Sequence, residues 1–148
     1  MILGDILLRN AERDGDKTAI VFEGRRISHR AHAKRVFRLA NALIGMGLRR
    51  GDRVAILSQN CAEYLEVYGA GELCGWATVT VNYRLSPAEI LYILQDSRPR
   101  FLIHGVDYGP LAEELRAKLP SIERWIGIGP EYEAALKAAE TGRPGLHA

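Results

Sequence analysis

From residue 52 onward, short apolar runs alternate with stretches of helical period, and this constrains the fold more than any other feature. The runs are DRVAILS (52–58), WATVTV (76–81), RFLIH (100–104) and ERWIGIG (123–129). Between and after them stand NCAEYLEVYGAGELCG (60–75), residues 86–96, DYGPLAEELRAKL (107–119) and PEYEAALKAAE (130–140), each with apolar residues at helical spacing. Strands that are apolar on both faces, each followed by a helix, predict an α/β fold whose mostly parallel sheet carries helices on both faces. Upstream, ILGDILLRNAERD (2–14) reads as a helix, and TAIVFEGRRIS (18–28) as a β-hairpin bending at Glu23-Gly24. The longest helix follows from Ser28 to about Gly47. Val36, Leu39, Ala40, Leu43 and Ile44 form its apolar stripe. At 148 residues the whole fits one domain, expected over 1–140, with TGRPGLHA (141–148) as a linker or tail.

Bulk properties exclude several classes. Twenty basic residues against eighteen acidic ones leave a net charge of +2, and they are scattered, so no nucleic-acid footprint is expected. Cys61 and Cys74 lie in one helical stretch with no second cysteine pair, which argues against a disulfide or zinc site and for a reducing cytoplasm. Asp5, Arg9 and Asn10 interrupt any secretory signal at the N-terminus. No uncharged stretch approaches the length of a membrane span.

The chemical motifs are thin. GAGELCG (69–75) imitates a dinucleotide glycine loop, but its third glycine comes one residue late and it ends a helix instead of following a strand, so close helix packing explains Gly69 and Gly71 better. His29 and His32 share a helix face, yet no third metal ligand is in view, and a solvated helix start is the simpler reading. His104, at the end of an expected strand, and Cys74 both lack a partner for catalysis. No catalytic residue and no metal site is therefore assigned.

VNYRLSPAEILYILQDS (81–97) is more informative. Ser86, Pro87 and Glu89 spell a capping box with proline at the first helical position, and Leu85 and Ile90 form a hydrophobic staple. Asn82, Tyr83 and Arg84 then stand between a strand and a helix N-terminus, where open α/β sheets often meet their ligands. An arginine there suits a phosphate. The bland alternative is a solvated Arg84 beside an Asn82 that satisfies its own turn.

Residues 49–103 (RRGDRVAILSQNCAEYLEVYGAGELCGWATVTVNYRLSPAEILYILQDSRPRFLI), with 17–48 upstream, resemble the N-terminal region of the adenylate-forming enzymes, over about residues 1–130. The type is most like medium- and long-chain fatty-acid CoA ligases (acyl-CoA synthetases). The chain departs from the pattern at SHRAHA (28–33), where the family usually places an acidic capping partner. The resemblance implies the N-terminal subdomain of the acyl-CoA synthetase fold. It also implies an enzyme that uses Mg-ATP to turn a carboxylic acid into an acyl-adenylate and then forms a thioester with CoA. Within the N-x-R-L segment it implies a CoA-binding role for Arg84. The family's triphosphate loop, its adenine and Mg²⁺ segment, its ribose-binding aspartate and its C-terminal lysine all lie further along than residue 148. ETGRPG (140–145) imitates the loop's end but has no lysine and follows a helix.

The expectation is thus a ligase fragment that binds no cofactor and is inactive alone. Its partners would be the rest of its polypeptide, and fatty acid and CoA in the full-length enzyme. A sheet cut from a larger domain also predicts self-association, for example as a homodimer. The competing readings are a stand-alone α/β binding or dimerisation module, and a fragment of a peptide-synthetase adenylation domain.

Overall fold

The computed structural model describes residues 2–145; Met1 and the last three residues of the expected tail lie outside them. Helix α1 (Gly4–Arg13) leads into the antiparallel hairpin β1 (Thr18–Phe22) and β2 (Arg25–Ser28). Its bend holds Glu23 and Gly24 at φ 48° and 76°, the left-handed pair whose twist matches that of the flanking strands. The side chain of Ser28 then accepts from Ala31 N (3.2 Å) and starts α2 (His29–Gly45).

The alternating part follows as β3 (Arg53–Leu57), α3 (Ala62–Cys74), β4 (Ala77–Val81), α4 (Pro87–Ser97), β5 (Phe101–His104), α5 (Gly109–Arg116), β6 (Arg124–Gly127) and α6 (Pro130–Ala138). The expected helix over 107–119 is realised as a 3-10 turn at Val106–Tyr108 followed by α5. All four strands pair in parallel, in the order β4-β3-β5-β6. Successive side chains alternate between two cores. Val54, Ile56, Phe101, Ile103 and Ile126 pack with α2, α3 and α6, whereas Ala55, Leu57, Val81 and Leu102 pack with α4 and α5. Burial on both faces is why the central strands β3 and β5 are nearly continuous apolar runs. Gly69 lets α3 close on α2: a Cβ there would lie 2.9 Å from Val36 Cγ2.

The order has a topological consequence. From β3 the chain steps outward to β4 through α3, then returns past β3 to β5 through α4. Right-handed crossovers running in opposite directions must use opposite faces of the sheet, as α3 and α4 do. The switch point therefore falls between the C-terminal ends of β3 and β5, and β4 is an edge strand.

Two polar clusters tie the layers together. Arg35 of α2 pairs with the buried Glu66 of α3 and bridges to Glu133 of α6 with nitrogen–oxygen distances of 2.6 and 3.0 Å. Tyr132 donates its hydroxyl to Glu66 at 2.6 Å. Burial pushes the Glu66 carboxyl up, while Arg35 and Tyr132 pull against it. At the other end of the sheet, Arg100 reaches Asp52 (2.6 Å), Glu123 (2.8 Å) and the Gly47 carbonyl (3.0 Å). After α6 the chain turns back along α2. Asn41 Nδ2 donates to the carbonyls of Glu140 (2.9 Å) and Gly142 (2.8 Å), and Pro144 is buried.

Candidate functional site

The C-terminal strand ends Leu57, Val81, His104 and Gly127 align in register and form one rim of the sheet. Between the hairpin, the start of α3 and the end of β4, this rim opens into a cleft of about 590 Å³. Ile20, Val21, Phe22, Leu65 and Val81 supply apolar walls, Tyr64, Tyr68 and Tyr83 aromatic ones, and Ser58, Asn60, Thr80 and Asn82 polar groups. A mostly apolar cleft with a few polar groups at a strand rim is the general form of a small-molecule site.

The 82–84 loop borders it. Asn82 Oδ1 accepts from Arg84 N at 3.0 Å, so the asparagine does close its own turn. Tyr83 is half-buried against the α4–α5 core, and its ring lies 6.4 Å from that of Tyr108. Arg84 is exposed, donates Nε to Tyr83 Oη (3.2 Å) and holds its guanidinium carbon 5.5 Å from the Tyr83 ring centre. Among the described residues it has no carboxylate partner. The capping box is formed: Ser86 N and Oγ both donate to Glu89 Oε2 at 2.8 Å, and these bonds hold the Glu89 carboxyl below its ordinary range. The N-terminus of α4 thus carries its own carboxylate. An anion at this loop would be held by the guanidinium of Arg84 rather than by the helix end.

The strand–helix junction read from the sequence lies at the sheet edge, one strand away from the switch point. At the switch point itself stand Ser58, Cys61, His104, Gly105 and Tyr108. A Cβ on Gly105 would lie 2.8 Å from Ser58 Oγ, so the crevice is closed by direct packing. Ser58 Oγ is 3.7 Å from Cys61 Sγ, whose pKa burial raises. His104 Nδ1 lies 2.9 Å from the Gly105 carbonyl, which makes Nδ1 the protonated nitrogen. Among the described residues no histidine is bonded to a cysteine or serine, so no nucleophile–base pair is assembled.

The other candidates fall into packing roles. Gly69 and Gly71 sit inside α3, the former against Val36 and the latter against Thr78, and the helix ends at Gly75 with φ 79°. Cys74 has its pKa pushed up to about 11 by burial. His32 is partly buried, with Nδ1 unpaired, and burial draws its pKa down. No group of three or more His, Cys, Asp or Glu among the described residues could hold a metal ion. No described helix is long and apolar enough to cross a membrane.

Comparisons with known proteins bear on the fold and the family. The fatty acid–[acyl-carrier-protein] ligase ScoC of Streptomyces coeruleorubidus is 34% identical over 130 residues, which are 88% of this chain and 24% of that protein. A crotonobetaine/carnitine–CoA ligase of Salmonella enteritidis is 35% identical over 107 residues, 69% of this chain and 21% of the relative. The solved N-terminal domain of FACL13 from Mycobacterium tuberculosis superposes with a TM-score of 0.92 at 26% identity, over 99% of this chain and 38% of that one. The chain therefore spans about a quarter of the length of the curated relatives it matches. The model of the AMP-binding enzymes matches residues 7–143, and the chain belongs to that family.

Proposed function

We propose that this chain is the N-terminal part of a fatty-acid CoA ligase that converts a carboxylic acid to an acyl-adenylate with Mg-ATP and then to a CoA thioester. The observation that carries the reading is the family match over residues 7–143, with relatives that are acyl ligases and that extend far beyond this chain. Residues 1–140 are taken as its folded unit and 141–148 as the connection onward, with its first residues laid on α2. The chain contributes no catalytic residue and is inactive alone. ATP, Mg²⁺ and CoA are used by the full-length, cytoplasmic enzyme.

In that enzyme Arg84 binds a phosphate of CoA. An exposed guanidinium with no carboxylate partner, seated on Tyr83 at the sheet rim, supports this role. Arg84→Ala in the full-length enzyme is expected to raise KM for CoA about tenfold, the loss of one charge-assisted hydrogen bond, with ATP–pyrophosphate exchange nearly unchanged. An equal fall in adenylation and thioester formation would make Arg84 a fold residue and end the assignment.

The apolar face formed by Leu3, Ile6, Val21, Leu65 and Tyr68 is exposed. We take it to be covered by the remainder of the polypeptide, or by a second copy when the chain is isolated. Sedimentation should then show concentration-dependent self-association of the isolated chain. A clean monomer at high concentration removes the homodimer.

A further inference from the structure

Helix α2 has an unusual charge pattern. Its seventeen residues include no Asp or Glu, but they include Arg30, Lys34, Arg35 and Arg38, with His29 opening the first turn. Arg30 stands in the first turn, where a cation opposes the helix dipole, whereas Lys34, Arg35 and Arg38 lie beyond its reach. Two of the charges are neutralised internally, Arg30 by Asp16 at 3.0 Å and Arg35 by Glu66 and Glu133. Lys34 and Arg38 have no carboxylate partner among the described residues. They line an open groove of about 660 Å³ between α2 and α6, and Lys137 of α6 lines it as well. The groove's floor is small and apolar, from Ala31, Ala134 and the buried Leu136. Its one carboxylate, Glu133, already accepts from Arg35 Nη1 and Nη2. A concave trough with methyl groups along its floor and three uncompensated cations on its walls remains.

We propose that the α2–α6 groove is a docking site for an acidic amphipathic helix of a partner protein, with Lys34, Arg38 and Lys137 pairing with its carboxylates. This goes beyond the ligase reading and does not depend on it. The groove suits a helix laid lengthwise, because the alanines that α2 and α6 each contribute let a partner backbone approach closely. A membrane surface fits less well. The exposed large apolar side chains, such as Leu3, Val21 and Tyr92, all lie outside the groove, so it has no anchor to bury in lipid. A single-stranded nucleic acid would stack its bases on aromatic platforms, and none lines the groove. An isolated phosphate would require convergent backbone N–H groups, whereas every lining residue lies within a helix.

The test uses the 148-residue chain and a fluorescein-labelled synthetic helix of about 20 residues, with Glu along one face and Ala and Leu along the other. Fluorescence anisotropy at low salt should show saturable binding. The triple variant Lys34→Glu, Arg38→Glu, Lys137→Glu should weaken it at least about tenfold, as should raising the salt from roughly 50 to 500 mM. A permuted peptide of the same composition, with no amphipathic face, should bind several-fold more weakly. The three side chains have no internal partner, so far-UV circular dichroism of the variant should match the parent. If charge reversal disturbs the fold, the Lys34→Gln, Arg38→Gln, Lys137→Gln variant serves instead with the same expected loss. The proposal is overturned if the variant binds the peptide as tightly as the parent, or if the permuted peptide binds equally well. It is also overturned if phosphatidylglycerol vesicles, or a second copy in sedimentation, use these three residues and the peptide does not bind.

Discussion

Replacing Arg35 by methionine isolates the least local feature of the fold. The Arg35 guanidinium is the only cation on Glu66 among the described ion pairs, and the Glu66 side chain is 2% exposed. Methionine fills the stem's volume but leaves that carboxylate buried with the Tyr132 hydroxyl as its one remaining donor among the described residues, and it frees Glu133 from α2. Breaking a buried pair on one side costs about 3–5 kcal/mol, and the lower end applies here because Arg35 itself is 31% exposed. Against a total of about 5–15 kcal/mol, that is a large fraction of the stability. Urea unfolding followed by circular dichroism should show the midpoint falling by roughly 1.5 M, at a slope of about 2 kcal/mol/M. The loss should also depend on pH. A carboxyl whose folded pKa lies above its unfolded value binds more protons when folded, so its penalty is complete above the folded value and fades as pH falls toward the unfolded one. Burial already raises Glu66, and removing Arg35 takes away an opposing influence, so the deficit should be largest near neutrality and shrink toward pH 4–5, close to the ordinary glutamate value of about 4.3. The triple replacement Arg35→Met, Glu66→Leu, Tyr132→Phe removes the buried charge with its two partners, leaves only the half-exposed Glu133 of the cluster, and should recover most of the loss. A deficit under about 1 kcal/mol at pH 7, or one that grows on acidification, refutes this account of the cluster.

Gly69→Ala places a methyl group 2.9 Å from Val36 Cγ2 and should cost about 1–3 kcal/mol in the same urea assay, with Val36→Ala in the double variant showing a coupling that offsets part of the cost. Burial raises the pKa of both Cys61 and Cys74, the latter to about 11, so both thiols should react with a disulfide reagent at pH 8 more slowly than a free cysteine, and Cys74 should accelerate on denaturation. Rapid stoichiometric labelling of the native chain would contradict that.

What could be read from the sequence was local. The Glu23-Gly24 bend, the Ser86–Glu89 capping box, the close-packed Gly69 and the apolar strands each depend on a few adjacent residues or on burial on both faces. Strand order is not local. Nothing between residues 76 and 86 says that β4 will be an edge strand, because this depends on α3 and α4 crossing in opposite directions. The Arg35–Glu66–Tyr132–Glu133 cluster was also out of reach, since its partners are 31 to 98 residues apart. A hint existed in Glu66, the lone charge in YLEVYGAG, where a buried acid must find a partner. For Arg84, the junction with a helix N-terminus was legible, but the carboxylate that occupies that helix end shifts the argument to the guanidinium alone.

The most direct test of the central claim is pyrophosphate release by the pure 148-residue chain, given ATP, Mg²⁺ and a series of fatty acids of different lengths. The expected result is a folded protein, seen by its cooperative urea transition, that releases no pyrophosphate above a protein-free control with any acid. Release that depends on the acid and scales with the amount of chain would mean that an adenylating site is assembled from these residues, and the reading of the chain as an inactive N-terminal part would be wrong.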